Sequence, residues 1–597
     1  MNQKPFRFVS LLLGLTFALS IATHVRSAPS PKPQTTSQAV TNTRSFPLSE
    51  PNYTSKRIRD FSPFSAALTN FSAKRRNELD KELLEATVPK MQQMMASGKL
   101  SATELVVYYL DRIQRYDINK LNSVMELNPD ALEIAKKLDD ERKAGKVRGA
   151  MHGIPVLLKD NIATGDRLHT TAGAYALKDW RADRDAFLVQ QLRNAGAIIL
   201  GKANLSEWAN YLDENMPSGF SALGGQTRNP YGAFDTLGSS SGSAVSVAAN
   251  LTAVSVGSET QGSIVQPSRK NNVVGLKPSY GLVSGDYIIP LTAWVDMPGP
   301  IGRTVTDVAT LLTAMAGNNS KVDAKVTALA KTDFTQFLSL DAARKLRVGV
   351  VIFGKDDEEA FIKNILTTQP QLSESEIKLL PQYAAQLYAA KNQQVQPAIA
   401  ALRKQKIKVV EIVASKLPKE NLTQVSTPDL EYNFKNDLNS FLAKAKGVPV
   451  DSLSKIIEIN KADSSNRVPY GQRSIESSQN TVITAEEYAA RQASLKNTAT
   501  NSLNQLLKTN NISVLVVPVD TMFAHSTSGF PALTVPSSFS PQGEPEGIKF
   551  VGRYLGEPDI LAVGYAYEQA TRIRRTPNLE ATIATFTKLN NSVPSIR

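Results

Sequence analysis

Two glycine- and serine-rich loops concentrate the hydroxyl groups of this 597-residue chain. The first, Gly238-Ser-Ser-Ser-Gly-Ser243, runs into a stretch of small residues, Ala244-Val-Ser-Val-Ala-Ala249. A loop of this composition opening a helix gathers hydroxyls and backbone N–H groups at the positive helix end, which suits a developing anion. The second loop, Gly257-Ser-Glu-Thr-Gln-Gly-Ser263, puts Ser263 24 positions after Ser239, beyond the strand-like Ala253-Val-Ser-Val256. Loops joined by one helix and one strand can meet at one end of an α/β sheet, where such proteins place ligands. Either loop by itself also reads as an ordinary flexible turn.

A hydroxyl is a weak nucleophile until a base takes its proton. Histidine supply narrows the choice of base: of four, His24 falls in the N-terminal leader, leaving His152, His169 and His525. No pair of them has metal-ligand spacing, which argues against a metal site. Cysteine is absent, so thiolate nucleophiles and thiolate metal sites are excluded. What remains is a lysine whose ammonium is desolvated until it is neutral at working pH. Lys159 fits, because it follows the apolar run Ile154-Pro-Val-Leu-Leu158 and precedes Asp160-Asn161. By position alone it reads more often as a strand-end lysine that snorkels to solvent.

Two rival arrangements use the same residue types. Gly238-Ser-Ser240-Ser-Gly242 matches the G-x-S-x-G elbow, with Ser240 attacking and His525 completing a triad. An elbow leaves a strand directly, whereas Asn229-Pro-Tyr-Gly232 and Asp235-Thr236 read as turn. Ser375 with Lys378 and Ser452 with Lys455 have S-x-x-K spacing but lack its companion motifs, so they read as solvated helix positions.

These side chains need a scaffold. Ser101-Ala-Thr-Glu104 has capping-box spacing, and Leu105, Val106, Tyr109, Leu110 and Ile113 follow at helical intervals, predicting a helix from Ser101 to about Arg115. Ile154 to Leu158 reads as a buried strand, Phe187 to Ala195 as a helix stopped by Gly196, and Ala197 to Leu200 as the next strand. This alternation predicts an α/β layer fold. From about Asn318 to Lys508 the pattern is mostly helical, and Ile512 to Pro518 returns to a strand, so 318–508 reads as a helical elaboration set between parts of one sheet.

The motifs together resemble the amidase-signature family. Gly153-Ile-Pro-Val-Leu-Leu-Lys-Asp-Asn161, the 238–243 loop, the 257–263 loop, Val274-Gly-Leu-Lys-Pro278, Pro298-Gly-Pro300 and Arg303-Thr-Val-Thr-Asp307 occur in that family's order and phrasing. Gly201-Lys-Ala-Asn-Leu-Ser-Glu-Trp208 and Gly224-Gly-Gln-Thr-Arg-Asn-Pro230 are most similar to its peptide amidase branch, and the likeness runs from about Phe61 to Tyr565-Ala-Tyr-Glu-Gln-Ala-Thr571. The resemblance implies one large α/β/α domain over 56–597 with a mixed central sheet. It also implies a Ser-cisSer-Lys triad: Ser263 as nucleophile, Ser239 as proton relay and Lys159 as base, with an oxyanion hole of backbone N–H groups at Thr260, Gln261, Gly262 and Ser263. Glu259 falls where the family has an acidic residue and is expected to brace that loop, unless it is simply a structural carboxylate. No cofactor and no metal is implied. The implied substrate is a small or peptide carboxamide, cut to acid and ammonia or amine through an acyl-enzyme. Leu237 and Ser241 replace common glycines, Gln261 stands where Gly or Asp is usual, Val265 replaces a frequent Arg, and Asp520 to Gly529 is shorter than in peptide amidases. None of these departures removes a catalytic side chain.

Composition sets the remaining expectations. Hydrophobic residues are 42% and charged residues 21%, near the averages for globular proteins. Lys4 and Arg7 precede an apolar run from Phe8 to Ala22 and a small-residue stretch to Ser27, the pattern of a secretory signal over residues 1–27, with an uncleaved anchor as the alternative. Residues 28–55, rich in Pro, Ser, Thr and Gln, read as a disordered linker. An exported product, periplasmic or extracellular, with no stable membrane insertion after cleavage is expected. The 68 Lys and Arg against 55 Asp and Glu give +13, falling to +10 without Lys4, Arg7 and Arg26. These charges are scattered and argue against nucleic-acid binding. They leave open a catalytically inactive relative that holds anionic envelope polymer, a reading that the intact Lys159, Ser239 and Ser263 oppose.

Overall fold

The computed structural model describes residues 50–417, 425–521 and 524–592. The leader and residues 28–49 of the linker lie outside the described residues. The folded body begins before position 56, because Glu50 accepts from Lys56 at 3.0 Å and from Asn122 at 2.7 Å, while the Tyr53 ring packs edge-on to Phe220 at 5.6 Å.

Thirteen strands follow in chain order among the described residues: β1 Val124–Leu127, β2 Pro155–Lys159, β3 Ile198–Ala203, β4 Phe220–Ser221, β5 Gly225–Gln226, β6 Val254–Glu259, β7 Val274–Lys277, β8 Met297–Gly302, β9 Arg347–Ile352, β10 Lys408–Val413, β11 Val514–Pro518, β12 Ala532–Phe539 and β13 Pro545–Gly552. Eleven form one sheet in the order β1-β3-β2-β6-β8-β7-β12-β13-β11-β9-β10, and β4 pairs only with β5. The sheet is mixed, with β2 parallel to β3 and β6, β9 parallel to β10 and β11, and the remaining neighbours antiparallel. Every residue of β2, β3, β6, β7 and β8 is buried. Successive strand residues point to opposite faces, so these strands are covered on both sides. The apolar runs Pro155–Leu158 in β2 and Ile198–Leu200 in β3 are the sequence form of that burial.

The predicted first helix spans Ala102–Tyr116 and carries the capping box: Ser101 Oγ accepts from Glu104 N at 3.0 Å and Glu104 Oε2 accepts from Ser101 N at 3.2 Å. The 318–508 stretch holds long helices, among them Glu374–Lys404, Thr427–Lys444 and Ala485–Thr509. It also supplies β9 and β10, the last two strands at one edge of the sheet, which the helical reading omits.

One pair of strands positions the chemistry. β2 and β6 are parallel neighbours in the register Val156↔Val254, Leu157↔Ser255 and Leu158↔Val256. Their carboxyl ends therefore emerge together, Lys159 from one and the 257–263 loop from the other. The helix Ser241–Ala248 leads from the first serine loop toward β6, with every residue buried. Its small side chains let backbone approach closely: a Cβ at Gly242 would lie 2.4 Å from the carbonyl oxygens of both Asn204 and Ser123.

Candidate active site

Lys159 ends β2 with its side chain fully buried. Its Nζ donates to Ser239 Oγ at 2.7 Å and to the Ser258 carbonyl at 3.0 Å. Burial removes the ammonium from water and lowers its pKa to about 7, against the upward pull of Asp296 and Glu259. A lysine at that value exchanges its proton near neutral pH, as a base acting on a hydroxyl requires.

Ser239 follows a cis peptide bond from Gly238. Its carbonyl accepts from Ser206 N at 3.0 Å, and the next residue, Ser240, donates its N–H to the Ser263 carbonyl at 3.1 Å. That bond joins the two serine loops beside Ser239. Ser239 is sealed at 0% exposure, while Ser263 keeps 8%.

Thr260, Gln261, Gly262 and Ser263 form the turn between β6 and the helix Val265–Lys270. Gly262 sits at φ +88°, the left-handed region that favours glycine. Among the described residues the backbone N–H groups of these four positions take no acceptor, leaving them available to an incoming oxyanion. Gln261, one of the departures, turns its side-chain amide to the Val425 carbonyl at 3.4 Å. Leu237, another, sits at φ +50°, where a glycine is unstrained and a leucine is not.

The carboxylate of Glu259 holds this turn from behind. Its Oε2 accepts from Ile264 N at 2.8 Å and Val265 N at 3.0 Å, and its Oε1 accepts from His525 Nε2 at 3.2 Å. Burial opposes the charge, but His525 and the Val265 N–H more than offset it and keep the carboxyl at about 2. His525 is itself fully buried and lowered to about 4, chiefly by desolvation, so at neutral pH it is an uncharged donor to Glu259.

This geometry removes the elbow arrangement. Ser240 Oγ donates to the Ser258 carbonyl at 3.0 Å and accepts from Ser258 N at 3.1 Å, so its hydroxyl is engaged with β6 backbone. His525 contacts the Glu259 carboxylate, and its ring is bonded to no atom of Ser240.

A cavity of about 400 Å³ reaches the end of β6 at Ser258 and Thr260, and its lining includes none of Lys159, Ser239 and Ser263. Asn161, Ser258 and Thr260 line its inner side, Leu291 and Asp296 line a wall, and Asp437 and Phe441 reach it from the helix Thr427–Lys444. Sequence reading missed Asp296 and Asp437. Asp296 accepts from Thr260 Oγ1 at 2.6 Å, an oxyanion-loop hydroxyl, and this link spans 36 residues that no local spacing encodes. A second cavity, about 300 Å³, is lined by Glu85, Arg303, Glu568 and Arg574 and includes none of the loop residues. Groups of acidic, histidine or cysteine side chains arranged to hold a metal are absent among the described residues.

The mixed sheet places a buried lysine and a serine-bearing turn at the carboxyl ends of adjacent parallel strands, with a second serine loop against them, an α/β arrangement suited to a hydroxyl nucleophile. The chain belongs to the amidase family, whose model, described as Amidase, matches residues 104–561. It is 34% identical over 507 residues to a probable amidase of Arabidopsis thaliana, covering 83% of this chain and 92% of that one. Among solved structures, an amidase family protein from Bacillus anthracis superimposes with a TM-score of 0.74 at 38% identity, covering 89% of this chain and 99% of that chain. The native peptide amidase from Stenotrophomonas maltophilia gives 0.71 at 37% identity, covering 83% and 99%. The chain is thus an amidase, a hydrolase of amide C–N bonds, with the amidase-signature fold.

Proposed function

We propose that this chain is an exported amidohydrolase that cleaves a carboxamide, a C-terminal peptide amide or another small amide, through Ser263, Ser239 and Lys159. The observation that carries the reading is the 2.7 Å hydrogen bond from Lys159 to Ser239, on a loop tied one residue later to Ser263.

In this mechanism neutral Lys159 takes the proton of Ser239 as Ser239 takes that of Ser263. Ser263 Oγ then bonds to the amide carbon, and the carbonyl electron pair moves to oxygen, where the N–H groups of residues 260–263 stabilise it. The Lys159 ammonium returns a proton through Ser239 to the nitrogen, the C–N bond breaks, and ammonia or amine leaves an ester on Ser263. Water follows the same relay, releasing the acid and restoring the serine. No step calls for a metal or cofactor. The peptide-amide class is supported by the likeness to the Stenotrophomonas enzyme, and export by the composition of residues 1–27.

Steady-state turnover of aliphatic, aryl and C-terminally amidated peptide amides tests the proposal. Ser263→Ala should reduce every rate to background, and Ser239→Ala should leave a residue of activity because water can bridge base and nucleophile. Full activity in Ser263→Ala would refute it.

A further inference from the structure

The cavity at the end of β6 is lined by two carboxylates, Asp296 and Asp437. Asp296 Oδ2 accepts from Leu291 N at 2.8 Å and from Thr292 N at 2.9 Å, and Asp437 Oδ2 accepts from the next amide, Ala293 N, at 2.8 Å. Three consecutive N–H groups thus hold the two acids side by side, close enough that Asp296 adds to the upward shift of Asp437. Burial is the larger cause there and brings Asp437 to about 6, so it is mostly ionised at neutral pH.

Two of the three basic residues on the same lining have other partners. Arg184 forms a two-pronged pair with Asp286 at 2.7 and 3.0 Å, and Lys446 lies 3.7 Å from Asp183. Lys444 is exposed to solvent. Asp437 and Asp296 have no ion pair with a basic side chain among the described residues.

Asn161 lies beside these carboxylates. Asn161, two residues from Lys159, lines the cavity and is 5% exposed. Its Nδ2 donates to Ser258 Oγ at 3.1 Å and Ile289 O at 3.3 Å, which fixes the amide orientation, yet its buried Oδ1 has no donor. Two carboxylates present acceptors to the cavity, and Asn161 Oδ1 is an unanswered acceptor packed behind that lining. The matching ligand group is a cation with several N–H donors.

We propose that this cavity is the acyl subsite and that Asp437, with Asp296 beside it, receives an ammonium or guanidinium on the acyl part of the substrate. The inference rests on the amidase reading above and narrows its substrate class to cationic amides. Asp437 is then a specificity-determining residue, while Asp296 also couples the subsite to the oxyanion loop through Thr260.

Two matched pairs of amides test it: 6-aminohexanamide against heptanamide, and 4-aminobutanamide against pentanamide, each differing only by ammonium in place of methyl. In at least one pair kcat/KM should favour the ammonium by about tenfold or more, the scale of one charge-assisted hydrogen bond, with the difference mainly in KM. Asp437→Asn keeps the size and the acceptor for Ala293 but should bring that ratio toward one, whereas Asp437→Glu should retain part of it. Ratios near or below one in both pairs of the wild-type enzyme, or a ratio unmoved by Asp437→Asn, would overturn the inference. In that case turnover of heptanamide and pentanamide leaves the amidase reading standing. Loss of all amide turnover together with a failure of Ser263 to react with a fluorophosphonate would remove both.

Discussion

In the proposed mechanism the chemistry turns on Lys159, because the same burial that makes it costly to place makes it a usable base. Its folded pKa is depressed to about 7. It is therefore protonated and unable to accept below that value, and neutral and competent above it. The rate should rise about tenfold per pH unit on the acid side and level off on the alkaline side, with the break near the lysine's value. Lys159→Ala should lose about 10²–10⁴ in kcat and show no such limb. A wild-type profile flat from pH 5 to 9 would contradict the assignment. At this scale legibility was uneven. Position alone left Lys159 between base and snorkelling side chain, and only the phrasing of the whole 153–161 segment pointed further. Asp296 and Asp437 were not legible, since they meet through the amides of Leu291 to Ala293 and come from separate parts of the chain.

At the scale of elements, the loop carrying Ser263 is held by bonds from outside it. Glu259 ties the first amides of the following helix and is itself gripped by His525. Glu259→Gln should destabilise by about 1–3 kcal/mol and lower kcat more than it raises KM, because the loop loses its charged anchor. Thermal melts with steady-state kinetics check both. His525→Ala should weaken activity without abolishing it; complete loss in a normally folded variant would revive the Ser240 and His525 arrangement. Gly242→Ala tests the packing of the small-residue helix. The added Cβ meets two carbonyl oxygens at 2.4 Å, and overpacking of that kind costs roughly 1–3 kcal/mol, read as a lowered Tm. A Tm equal to wild type would show that this close approach is relieved at no cost. The helix at 102–116 and the strands β2 and β3 were readable because a capping box and unbroken apolar runs are local signals. The short runs of β9 and β10 were not, since a brief apolar segment among helices has no period of its own.

Across the whole molecule, one sheet brings together loops that the chain separates, with Lys159 and Ser263 at the ends of neighbouring strands. The absence of cysteine leaves burial and polar networks to hold that sheet. The leader is tested on the native protein by the mass of its mature N-terminus, which should lack residues 1–27; an intact Met1 would defeat the export proposal. The most direct test of the central claim is to react the protein with a fluorophosphonate and locate the adduct by peptide mass spectrometry. A single adduct on Ser263, formed faster as pH rises through about 7, is the predicted result; an adduct on Ser240, or none on Ser263 in an enzyme that still hydrolyses amides, would contradict it.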